Sequence, residues 1–186
     1  IVQVTYGRSQ TTEFGHLKTL INDYVTKAGR QANIFQPYIG RVGKKPSLEN
    51  DDIFCNALKE AGKNDPIMWA CQDSFFDKHY YHPAHKWFKE NEFTQPLSLL
   101  VIYDSFIHSG RIPPFLRERF EAVVPSKNGD EKEWIRQYVS ARHDWLADHQ
   151  SRLLRKTIYR TKCFTEEIAS ANWDLSLPVN AHGTTI

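Results

Sequence analysis

"PLSLLVIYDSFIHSG", Pro96 to Gly110, decides how the rest of the chain is read. It is apolar on nearly every side, so it predicts a helix buried all round rather than one with a wet face. Proline near its first position and glycine just past its last mark the two ends. Asp104 is its only carboxylate, and a buried carboxylate is costly unless a cation pairs with it. The segment therefore predicts a helix-rich domain with an internal ion pair at its centre.

The cation is sought downstream. Asp130 caps a helix, with Glu133 three residues later in capping-box position, and the helix runs to about His149. Arg142 borders its apolar stripe of Trp134, Tyr138, Ala141 and Trp145, four residues after Tyr138 and three before Trp145. An inward arginine and an inward aspartate invite a bidentate pair. Arg155 and Arg160 are candidates to extend it, on a final helix or helix pair from Arg152 to Ala171. The tail from Asn172 to Ile186 reads as irregular.

Upstream, Ile1 to Tyr6 reads as a strand, Gly7 to Gln10 as a turn and Thr11 to Phe14 as a return strand. Leu17, Leu20, Ile21, Tyr24 and Val25 give helical spacing over His16 to Lys27, with Gly29 ending it. Residues 32–48 are loop-rich. Helices follow over Asn50 to Ala61 with Gly62 as the stop, Ile67 to about Tyr81 after Pro66, and Ala84 to Asn91. A short amphipathic piece covers Pro113 to Val124. The sum is α+β but mainly α: two lobes and a small hairpin in one domain over residues 1–186.

Composition excludes several classes. A net charge of +2 and a pI of about 8.4 are far from a nucleic-acid binder. No apolar run approaches the ~20 residues of a membrane span. The three cysteines, Cys55, Cys71 and Cys163, form neither a disulfide framework nor a zinc pattern; three buried thiols are expected, with one bridge the alternative. The chain shows no signal peptide. It opens on Ile1 rather than Met, which suggests a processed or excised piece. An aromatic content of 13% suits both a packed core and a cleft that stacks sugar rings.

No cofactor motif is legible. "HYYHPAH" holds His79, His82 and His85, but Pro83 interrupts the helix and metal pairs on helices usually sit four apart, so no metal is assigned. A G-x-S-x-G elbow and a phosphate loop are both missing. The hairpin is the richer segment. On a strand, residues two apart share a face, which groups Thr11 with Glu13, and with Ser9 if the strand reaches it. A carboxylate and a hydroxyl on one face can hold and activate a water, the base half of an inverting glycosidase.

"YGRSQTTEFG", "PLSLLVIYDSFIHSG" and "NGDEKEWIRQYVSARHDWL", in that order, resemble glycoside hydrolase family 46, the chitosanases. They also resemble lysozyme-like relatives, including peptidoglycan-cleaving effector domains of bacterial secretion-system spike proteins. The resemblance implies a lysozyme-like fold of two mainly helical lobes with a small sheet beside a cleft. It implies an Asp104–Arg142 network with Arg155 as third member in preference to Arg160. It makes Thr11 the water-orienting threonine and Arg8 a cleft arginine, and it sets His108 near a family histidine. Three departures follow. The family's base aspartate aligns with Tyr6, so Glu13 becomes the candidate base. The family's general-acid glutamate would lie upstream of Ile1, so a removed or companion N-terminal segment is expected. A substrate-binding aspartate aligns with His16. With two cleft carboxylates replaced, the resemblance favours an inverting, muramidase-like cleavage of peptidoglycan, with Arg8, Tyr6, His16 and His108 contacting sugar. Chitosan hydrolysis is the first alternative. A non-catalytic module gripping glycan or an inhibitor is the second. The family setting implies secretion or delivery to the periplasm and suggests an immunity protein as partner.

Overall fold

The computed structural model describes residues 2–8 and 10–186; the expectations for Ser9 and for Ile1 as a strand residue lie outside them. The chain divides into two compact units, the first ending at His79 and the second running from Tyr80 to Ile186. The predicted mainly α architecture with a small hairpin is the one found.

In the first unit, β1 (Thr5–Tyr6) pairs antiparallel with β2 (Thr11–Thr12), with Thr5 opposite Thr12 and Tyr6 opposite Thr11. The turn closes through Gln10 N donating to the Gly7 carbonyl at 3.0 Å. Helix α1 (Leu17–Thr26) follows, and Leu17, Leu20, Ile21 and Tyr24 are its buried stripe. The loop-rich stretch holds a one-turn helix, α2 (Ala32–Phe35), which buries Phe35. Helix α3 (Asp52–Asn64) starts where Asp51 accepts from Phe54 N, and it runs past the predicted stop at Gly62. A side chain at Gly62 would sit 2.6 Å from the Tyr6 hydroxyl. Glycine there clears space for the hairpin and is no helix terminator.

Asp65 separates α3 from α4 (Pro66–Phe76) and caps the latter, accepting from Ile67 N. It is buried, and Tyr24 Oη (2.5 Å) and Arg30 N (2.7 Å) also donate to it. Burial alone raises its pKa, but those bonds outweigh burial and hold the carboxyl below the usual aspartate value. Burial, and then the same contact, push the Tyr24 phenol up to about 12. A π-helical turn, Asp77–Tyr81, carries the chain into α5 (His82–Glu90). Pro83 sits in the first turn of α5, directly after the π-helical turn.

In the second unit, α6 (Pro96–Ser109) is the expected central helix. No residue from Leu97 to Ser109 is exposed, and its buried stripe runs Leu97, Ser98, Val101, Ile102, Ser105 and Phe106. After α7 (Pro114–Arg117), α8 (Glu131–Ala147) begins with Asp130 accepting from Glu133 N at 2.7 Å. Trp134, Ile135, Tyr138, Val139, Arg142 and Leu146 form the buried side of α8. Trp134 lies at the centre of the core, edge-on to Phe93 and Phe120 and stacked on Tyr138. The last helical stretch breaks into α9 (Arg152–Arg155), a 3-10 turn (Lys156–Ile158) and α10 (Tyr159–Ala169). The tail is not wholly irregular. β3 (Asn180–Ala181) and β4 (Thr184–Thr185) make a hairpin whose turn uses left-handed His182 and Gly183.

Candidate active site

The ion network of the second unit is built on Asp104. Arg142 Nη1 stands 2.7 Å from Asp104 Oδ2, and its side chain is 1% exposed. The other Asp104 oxygen, Oδ1, receives Arg160 Nη1. Arg155, expected as the third member, is elsewhere. It is exposed, and its Nη1 donates to the carbonyls of His149 (2.6 Å) and Gln150 (3.0 Å). The 3-10 turn between α9 and α10 changes the helical phase, so Arg160 and not Arg155 faces Asp104. His108 belongs to the same assembly. Burial, then the adjacent Arg142 and Arg160 guanidiniums, push its pKa down to about 4, against a weaker pull from Asp104. It is a neutral imidazole at physiological pH, half-buried, with Nε2 3.4 Å from Thr157 Oγ1. That setting ties His108 to the network.

In the first unit, Thr11 and Glu13 do share a face, and it is an inward one. Thr11 is 3% exposed and its hydroxyl donates to the Tyr6 carbonyl at 2.8 Å. Glu13 has no exposed surface. Its Oε2 accepts from Ser47 Oγ (2.6 Å) and Val4 N (3.4 Å), and its Oε1 accepts from Leu48 N (2.9 Å). A carboxylate so enclosed anchors the hairpin to the 47–48 loop. Where the sequence suggests a base beside a Thr11-held water, the structure shows a fully buried carboxylate whose oxygens are taken by these three donors. The hydroxyl of Tyr6 is likewise buried, and burial raises its pKa well above the ordinary phenol value.

Arg8 is the outward residue of the hairpin. Its guanidinium pairs with Asp73 of α4, and its N–H donates to Gln72 Oε1 at 3.1 Å. Gly7, at φ 72°, makes this approach possible, since a side chain there would collide with Gln72 Oε1. Together Tyr6, Gly7, Arg8, Gly62, Trp69, Gln72 and Asp73 line a concavity of about 350 Å³. Sequence alone does not single out Trp69, Gln72 and Asp73. Their one available signal was the i, i+3, i+4 spacing that puts them on one helix face, and nothing local tied that face to a hairpin over 60 residues away. His16 is exposed at the start of α1, its ring 5.7 Å from Phe75 and 5.2 Å from His79.

His79 stacks on Phe75 and His85 on Tyr81, and among the described residues no group of three His, Cys, Asp or Glu is arranged to hold a metal ion. The three cysteines are free thiols, with Cys71 and Cys163 buried and Cys55 half-buried. Among the described residues no helix is long and apolar enough to cross a membrane.

The family profile of Glycosyl hydrolase family 46 matches residues 5–179. The chain belongs to glycoside hydrolase family 46. It is a glycoside hydrolase, as the three sequence blocks implied. A curated relative, the chitosanase of Bacillus subtilis (strain 168), is 28% identical over 193 aligned positions, covering 95% of this chain and 69% of its own length. Among solved structures, the native chitosanase from Bacillus subtilis MY002 superposes with a TM-score of 0.79 at 23% identity, over 99% of this chain and 85% of that one. The Gynuella sunshinyii chitosanase in complex with chitotetraose gives 0.78 at 21% identity, over 99% and 83%. At those identities the superpositions establish the fold, which is that of the family 46 chitosanases.

Proposed function

We propose that this family 46 enzyme hydrolyses the β-1,4 links between glucosamine units of chitosan, with inversion at the anomeric carbon. The observation that carries the reading is the match to a chitosanase along 95% of the chain, within a family profile that spans nearly all of it. The peptidoglycan preference expected from sequence rested on Tyr6 and His16 standing where the family has carboxylates. The relatives favour chitosan instead, and the hairpin is not empty of carboxylate, because Asp73 reaches its outer side from α4.

Inversion needs one acid to protonate the leaving oxygen and one base to take a proton from the attacking water. In this reading the hairpin contributes position. Thr11 is pinned by the Tyr6 carbonyl, Glu13 locks the hairpin to its neighbouring loop, and Arg8 faces outward to bind sugar hydroxyls. Reducing-end release from chitosan, chitin and purified peptidoglycan tests the substrate, and proton NMR of the first product tests the stereochemistry. Fast release from chitosan as the α-anomer is the expected result. Release from peptidoglycan alone would return the muramidase reading to first place, and binding without release would favour the non-catalytic module.

A further inference from the structure

The concavity between the hairpin tip and α4 has the chemistry of a sugar subsite. Trp69 is 47% exposed, yet its ring is held in place because Nε1 donates to the Gly62 carbonyl at 2.7 Å. A fixed, exposed indole face complements the C–H face of a pyranose, with little side-chain entropy left to lose. Beside it stand groups of the three kinds that sugar substituents need. Arg8 supplies planar N–H donors, and Gln72 carries an amide whose oxygen already accepts from Arg8 N. Asp73 supplies a carboxylate, and its pair with Arg8 is open to solvent, with side chains 60% and 68% exposed. Exposed pairs of this kind hold each other weakly and exchange partners readily. Gly7 and Gly62, lacking side chains, let the Gln72 amide and the Tyr6 hydroxyl pack in to form the floor.

We propose that this concavity binds one glucosaminyl unit. Trp69 stacks on its ring, Arg8 donates to its hydroxyls, and Asp73 takes the 2-ammonium group in place of part of its contact with Arg8. Asp73 is thereby a specificity-determining residue. Its carboxylate attracts a free amine and gains nothing from an N-acetyl group, so it compensates for the binding carboxylate that His16 replaces. This inference rests on the chitosan reading for its ligand, but it concerns binding and can be read without turnover.

The test is titration calorimetry of the purified protein with glucosamine oligomers and with N-acetylglucosamine oligomers, for wild type, Asp73→Asn and Trp69→Ala. Far-UV circular dichroism and a thermal melt verify each fold. Asp73→Asn should weaken glucosamine-oligomer binding roughly three- to fivefold, the range of an exposed charge contact, and leave N-acetylated oligomers unchanged. Trp69→Ala should weaken both series by about tenfold, since it removes the stacking face. With chitosan as substrate, Asp73→Asn should raise KM with little change in kcat, as loss of uniform binding does. Equal affinities of wild type and Asp73→Asn for glucosamine oligomers would overturn the subsite, as would an equal loss on both series. Should wild type bind and discriminate yet release no reducing ends, the subsite stands and the hydrolysis reading falls.

Discussion

Replacing Arg142 with Met keeps most of the side-chain stem and deletes the charge that faces Asp104. The pair stands at 2.7 Å with Arg142 1% exposed. At an effective dielectric of ~20, unit charges at that distance attract by about 6 kcal/mol. Desolvation of both ions offsets much of this, and breaking a buried pair typically costs about 3–5 kcal/mol. Arg160 remains on the other carboxylate oxygen, which places Arg142→Met at the lower end, about 3 kcal/mol. For a chain of this size that corresponds to a fall in Tm of roughly 6–12 °C. Guanidinium denaturation of Arg142→Met, Asp104→Asn and the double variant reads the loss and the coupling together. A loss below about 1 kcal/mol, with additive single effects, would show that the pair contributes no stability and refute the reasoning. The same assay decides the third member of the network. Arg155→Ala removes only exposed bonds to two carbonyls and should cost about 1 kcal/mol or less, whereas Arg160→Ala should cost more. The reverse order would return Arg155 to the network.

Glu13→Gln replaces one acceptor oxygen with a donor that faces either Leu48 N or Ser47 Oγ and Val4 N; a loss of roughly 1–3 kcal/mol is expected, and reducing-end release should fall only as far as the folded fraction does. Loss of turnover at full stability would restore Glu13 as the base. Asp65→Ala strands the Tyr24 hydroxyl and the Arg30 and Ile67 N–H groups, and should cost about 3 kcal/mol by chemical denaturation; a neutral change would mean water replaces the carboxylate. His108 carries a pH signature. Its folded pKa of about 4 lies below the ordinary ~6.5, so the unfolded chain binds its proton first as pH falls. Stability is full above about pH 6.5 and is lost between there and about pH 4, by roughly 2–3 kcal/mol. Thermal melts of His108→Gln should lack that part of the acid slope, and an identical slope in both proteins would show that His108 does not titrate as described.

Local rules sufficed wherever a signal lay within one or two helical turns. The stripe of α1, the Asp130 cap, the proline and glycine ends of α6 and the hairpin turn each follow from spacing and side-chain chemistry within a few residues. The need for a cation opposite Asp104 was legible for the same reason, because an apolar surrounding makes an unpaired carboxylate too costly whatever the fold. Arg142 was legible as its partner because it borders the buried stripe of its own helix.

What the tertiary structure decided was every choice between residues that local rules treat alike. Arg155 and Arg160 sit on one basic, helix-forming stretch, and a 3-10 turn between them sets which one faces Asp104. Thr11 and Glu13 share a face by strand alternation, but alternation does not say whether that face meets water or the 47–48 loop, and here it meets the loop. Gly62 reads as a helix stop until the Tyr6 hydroxyl is seen to occupy the space of its missing side chain. Arg8 and Asp73 are 65 residues apart in sequence, so only packing of the hairpin against α4 makes them one site. Sequence determines which groups must be satisfied; the fold determines by whom, because distance along the chain carries no information about distance in space once helices pack.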